Sequence, residues 1–171
     1  MGGVINKKIL SEIHLIYGFV KMPNGFEIDL NKLNTDIIES QIKNSNIKFS
    51  ISWDMLITYI RDHVNCELDI NLINKESWGN FYKPEQITIP LINIDPVDLR
   101  NSPDYTCLYG VNVKNCFVKI FYDDNRRKGR SWDIQIENNK FIIFPSNCMY
   151  FITNKQKDSV NTILTTTYEF I

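Results

Sequence analysis

The sequence predicts an α+β fold in which a helical face packs on an antiparallel sandwich or jelly roll. Helix-period apolar spacing is confined to residues 1–76, and from Ser77 onward short β-type runs follow one another between turn residues. Helices precede strands, without the alternation that builds a parallel sheet. At 171 residues the chain suits one domain with a substantial core. It is read as a single domain over 1–171, with an N-terminal strand and cover helices in 1–76 and a β-core in 77–171.

The β-branched and aromatic stretch 12–22 predicts a strand that runs into the Pro23-Asn24-Gly25 turn. Thr35 is a candidate N-cap for a helix carrying Ile37, Ile38 and Ile42, which the Asn-rich 43–46 would end. In 52–65, Trp53, Leu56, Ile57, Ile60 and Val64 fall on one face of a second helix. Six β-type runs then appear at 105–111, 116–122, 132–136, 140–144, 149–153 and 162–171. Their punctuation includes Pro84, Asp95-Pro96, Ser102-Pro103, 123–129, Asn138-Asn139 and Pro145-Ser146. In the run 116–122, Phe117 and Phe121 alternate against Val118, Ile120 and Tyr122, so this strand is expected to be central and covered on both faces.

A net charge of -1 and a pI near 6.1 give no general attraction to nucleic acid or anionic membrane. The basic run 125–130 reads as a solvated loop, and Asp123, Asp124, Arg126 and Arg127 as a turn balanced by local ion pairs. No apolar run approaches the roughly 20 residues that span a bilayer. No signal-peptide core is visible, and Asn6 stands where a myristoylation motif normally has Ser or Thr. A soluble protein is expected, with no membrane and no specific nucleic-acid partner. Cys66, Cys107, Cys116 and Cys148 lack close-paired zinc spacing and read as buried free thiols. His63, beside Asp62, fits a polar helix surface, and His14, among apolar neighbours, fits a partly buried, hydrogen-bonded position.

Four ordered stretches, SWGNFY at 77–82, YTCLYGV at 105–111, FYDDNR at 121–126 and FPSNCMY at 144–150, carry a family resemblance. From Ser77 onward the chain resembles the 2-oxoglutarate and Fe(II)-dependent oxygenases encoded by tailed phages and large viruses. That resemblance implies a double-stranded β-helix, the jelly roll of these enzymes, under N-terminal cover helices. It also implies an iron centre of two histidines and a carboxylate, with a late arginine anchoring the keto acid. Counting from Trp78, the first two ligand positions fall near Leu91 and Asn93, and the third falls on Tyr150. Leucine has no donor, a phenol ionises near pH 10, and no arginine follows Arg130. Asp95 is close enough in sequence to serve as a displaced carboxylate, and Lys155 and Lys157 are late charges in a solvent-facing turn.

On this reading the iron site is degenerate. No catalytic, cofactor-binding or metal-binding residue is expected, and no cofactor. The resemblance then implies a non-enzymatic virion component of a neck, tail, baseplate or minor capsid, assembled in the host cytoplasm. Its partners would be other virion proteins, or copies of itself in a symmetric assembly. Two alternatives stand beside it. One is an Fe(II)/2-oxoglutarate oxygenase using Asp95, Tyr150 or a cysteine as unconventional ligands. The other is a glycan- or small-molecule-binding module that uses the emptied barrel mouth.

Overall fold

The structure is a computed structural model that describes residues 13–21, 27–123 and 129–171. The Pro23-Asn24-Gly25 turn, most of the basic run 125–130, the pairing of Asp124 with Arg126 and Arg127, and Gly2 with Asn6 lie outside the described residues. Helix α1 spans Leu30–Ile42. Its cap is Asp29, whose side chain accepts from the Lys32 amide. This corrects the expected Thr35 cap: that hydroxyl lies within the helix and donates back to the Asn31 carbonyl at 3.0 Å. Helix α2, Ile51–Leu68, is capped by Ser50 and buries Trp53, Leu56, Ile57, Ile60 and Val64, the face predicted from spacing.

The strands are β1 Ile16–Phe19, β2 Leu72–Tyr82, β3 Tyr105–Asn112, β4 Cys116–Asp123, β5 Arg130–Ile136, β6 Lys140–Pro145, β7 Met149–Asn154 and β8 Asn161–Phe170. They form a larger sheet in the order β1-β6-β3-β8-β2 and a smaller one in the order β5-β4-β7. All strand pairings within these two sheets are antiparallel. Residues 86–93 extend the smaller sheet beyond β7 through bridges Ile87↔Thr153 and Leu91↔Tyr150. Pro90 interrupts this segment, which suits an edge position where a missing amide is tolerated. β2 begins at Leu72 and runs through the Glu76-Ser77 boundary, and β1 joins the larger sheet beside β6.

Two apolar layers result from strand alternation. Leu164 and Tyr168 of β8, with Cys107 and Tyr109 of β3, face the helices and pack with Leu33, Ile37, Leu56 and Ile60. Ile163, Leu108, Ile142 and Phe144 face the other way and meet Val118, Ile120, Tyr150 and Ile152 of the smaller sheet. α1 approaches β2 at Gly79, where an added Cβ would collide with the Ile37 side chain. β4 is central, as its sequence predicted. Cover on both faces is not found: Phe117 and Phe121 point to the outside and remain half-exposed beside Phe151. Among the described residues no helix is long and apolar enough to cross a membrane.

Candidate functional site

At one end of the barrel the chain brings Leu91, Asn93 and Tyr150 together. Leu91 and Tyr150 are direct cross-strand partners, each amide donating to the other's carbonyl at 2.9 Å. Asn93 follows on the same strand face, and its Nδ2 donates to the Tyr150 hydroxyl at 3.1 Å and to Thr106 Oγ1 at 3.0 Å. Thr106 is fully buried and shares a 2.8 Å hydrogen bond with Ser146 Oγ, while the Asn93 amide donates to the Ser146 carbonyl at 3.3 Å. The segment 86–93, β3 and β7 are therefore tied together by a polar node.

Tyr150 is buried, and its ring meets Phe144 edge to face with centroids 5.2 Å apart. Burial pushes its phenol above the ordinary value, and the hydrogen bond from Asn93 only partly opposes this. The group is thus a neutral phenol at physiological pH. Deeper in the barrel, Leu108, Ile142, Ile152 and Ile163 are completely buried and fill the space between the sheets. On β8 the barrel-facing residues Ile163, Thr165 and Thr167 carry no cation; Thr165 Oγ1 accepts from Asn80 at 2.7 Å.

The other sequence candidates lie apart from this node. Asp95 is exposed, and its Oδ1 caps a turn by accepting from the Val97 amide at 2.8 Å. Lys155 is exposed and lies 4.3 Å over the Phe117 ring on the outside of the smaller sheet. His63 is exposed on α2 and stacks on Tyr59. Cys107 belongs to the helix-facing core, Cys116 and Cys148 to the barrel, and Cys66 is exposed, which corrects its reading as a buried thiol. Among the described residues no group of three or more His, Cys, Asp or Glu is placed to hold a metal ion.

Sequence reasoning missed two features of this end of the barrel. His14 reaches it because β1 pairs with β6; it lines a cavity of about 310 Å³ with Tyr122, Trp132, Phe144 and Cys148. A second, polar cavity of about 320 Å³ lies against the node, between Asn93, Asp95, Ser102, Thr167 and Trp78. From sequence, Trp78 reads as a family landmark and, with Trp53 and Trp132, as a core aromatic first and a stacking platform for sugars or bases second, and the Ser102-Pro103 turn reads as punctuation. No local signal marks them as neighbours, because their proximity depends on the β2-β8-β3 pairing.

No family model matches the chain, and neither does any curated protein. Solved structures do. SnoK, a non-haem α-ketoglutarate-dependent carbocyclase from nogalamycin biosynthesis, superposes with a TM-score of 0.67 at 9% identity, over 90% of this chain and 79% of its own. A prolyl-4-hydroxylase of Pseudomonas putida gives 0.65 at 13% identity, over 91% and 87%. A prolyl hydroxylase from Trichoplax adhaerens, in complex with a hypoxia-inducible-factor peptide, gives 0.59 at 11% identity, over 92% and 83%. The fold is that of the 2-oxoglutarate/Fe(II) oxygenases.

The expected double-stranded β-helix with N-terminal cover helices is thus the observed fold. The expectation of a virion structural component is overturned by the same comparison. These neighbours are oxygenases, and they favour the oxygenase alternative over a role in a particle. The oxygenase fold implies Fe(II) and a keto acid, and the donor chemistry tests that implication. Leu91 offers no donor, the Asn93 Nδ2 is committed to two oxygens, and Tyr150 is a buried neutral phenol. These three residues do not fit the iron centre that the oxygenase fold implies.

Proposed function

We propose that this chain is an oxygenase-fold protein in which Leu91, Asn93 and Tyr150 stand at former metal positions, and that the polar cavity at the barrel mouth binds a small polar molecule. The observation that carries this reading is the Asn93 side chain. It joins the node through Nδ2 and also lines the cavity, and its Oδ1 has no partner among the described residues. The cavity, about 320 Å³, lies at the lower end of the range typical of small-molecule sites, roughly 300–1,000 Å³. Trp78 supplies an amphipathic wall, and Asp95, Ser102 and Thr167 supply polar groups. The filled barrel interior leaves the mouth as the place where a ligand meets the protein.

Thermal melting in a chelator with a panel of sugars, polyols, amino acids, nucleosides and keto acids tests this reading. A ligand-dependent rise in melting temperature without turnover is expected. A rise that appears only when iron is added overturns it, as does no rise with any compound.

A second reading, an iron-dependent oxygenase with unconventional ligands, is supported by the fold neighbours. Asp95, on the wall of the mouth cavity, is the carboxylate that this reading would use. Anaerobic iron loading followed by a succinate assay separates the two readings. One iron per chain with keto-acid consumption supports the second reading.

A further inference from the structure

We infer that the mouth cavity is one half of an elongated groove for a neutral oligosaccharide, with Trp78 as the stacking platform between its two halves. This rests on the ligand-binding reading above and names the ligand class. A second cavity of about 550 Å³ lies on the other side of β2, between it and the loop after α1. Trp78 and Glu76 line both cavities. They do so because β2 is the edge strand of the larger sheet, with no further strand beside it among the described residues. The Trp78 indole is half-buried, and neither its ring nor its N–H has a partner among the described residues. An indole face held between two cavities is suited to the apolar C–H face of a sugar ring, and its N–H to a hydroxyl.

The polar groups favour polyhydroxyl ligands over ionic ones. Three amides are fixed by one end and open at the other. Gln41 Nε2 donates to the Gly79 carbonyl at 2.8 Å, Asn46 Oδ1 accepts from the Lys48 amide at 3.0 Å, and Asn101 Nδ2 donates to Asp98 Oδ2 at 2.7 Å. Their opposite ends have no partner among the described residues. An amide held this way presents a donor or acceptor whose ordering cost is already met by the fold.

The lysines in the groove are occupied elsewhere. Lys48 Nζ donates to the Lys75 carbonyl at 2.6 Å, and Lys75 Nζ pairs with Glu169 at 2.6 Å. With Glu76, Asp95 and Asp98 along the same walls, carboxylates outnumber Lys48 and Lys75, which disfavours a phosphate or uronate ligand.

Binding of the full chain to an array of neutral, acetamido, uronic and sialylated glycans of one to six residues tests this, followed by calorimetry on the best binder and its shorter homologues. We expect a neutral or acetamido glycan whose affinity rises at least tenfold from one residue to four. Trp78→Ala should lose at least tenfold at every length, and Trp78→Phe should retain most of the binding. Ser45→Arg, at an exposed wall of the second cavity, should bring long-chain affinity down to that of the monosaccharide. Thermal melts verify that each variant is folded. Length-independent affinity with a silent Ser45→Arg overturns the extended groove and leaves the mouth site standing. Preference for acidic glycans overturns the neutral class, and no binding to any glycan overturns the inference entirely. If nothing on the wider panel binds either, the ligand-binding reading falls as well.

Discussion

Asn93 Nδ2 lies 3.1 Å from the hydroxyl of Tyr150, and the two side chains clasp neighbouring strands at the open end of the barrel. The same Nδ2 reaches Thr106, and through it Ser146, so one amide joins three strands of the fold. A network of this kind has value only while every member is satisfied.

Removing that amide should therefore destabilise the protein. Asn93→Ala leaves the Thr106 and Tyr150 oxygens without this donor, and a loss of about 1–3 kcal/mol is expected. Chemical denaturation of the variant against the parent checks it, and a change within about 0.5 kcal/mol would show the node to be incidental.

Leu108 reports on whether the barrel is filled. It is completely buried between the sheets, so Leu108→Ala should cost about 2–5 kcal/mol, as for other closely packed interiors. An interior kept open for a cosubstrate would give a much smaller loss, measurable by the same denaturation curves.

Stability should fall at alkaline pH. Burial raises the Tyr82, Tyr150 and Tyr168 phenols above 10.0, and lifts the Cys107 thiol from 9.0 to about 12 and the Cys116 thiol from 9.0 to about 11. In each case the folded state holds its proton more tightly than the unfolded chain. The contribution of these groups is then constant below about pH 9 and declines above it as the unfolded chain ionises first. Melting temperature against pH should show this, and Tyr150→Phe should flatten the part of the decline above pH 10.0.

Gly79 marks the contact between the cover helices and the barrel. A methyl group there would press into Ile37, so Gly79→Ala should destabilise by about 1–3 kcal/mol. Gly79→Ala combined with Ile37→Leu, which lacks the colliding Cγ2 methyl, should recover part of the loss. Equal losses in the single and double variants would contradict the packing described.

Much of the architecture was legible because strand and helix periods are local. The buried face of α2 could be read directly from the spacing of Trp53 to Val64. The cap of α1 was misread because Thr35 and Asp29 both have capping chemistry, and only the packing of Leu33 and Ile37 selects the earlier start. Leu91, Asn93 and Tyr150 could be named by counting from a motif, but their mutual hydrogen bonds could not, since these depend on register between the segment 86–93 and β7. The exposed outer face of β4 was equally hidden: Phe117 and Phe121 have core composition, and nothing local shows that no element covers them. The place of Trp78 on an edge strand was hidden as well, since it depends on the strand order of the larger sheet.

The central proposal is that the Leu91, Asn93 and Tyr150 positions hold a hydrogen-bonded node in place of a metal. Anaerobic titration of isotope-labelled protein with Fe(II) and 2-oxoglutarate, followed by backbone amide NMR, tests it most directly. The account predicts that the amides of Leu91, Asn93 and Tyr150 keep their intensity through one equivalent of iron. Paramagnetic broadening centred on those three residues, saturating at one iron per chain, would contradict it.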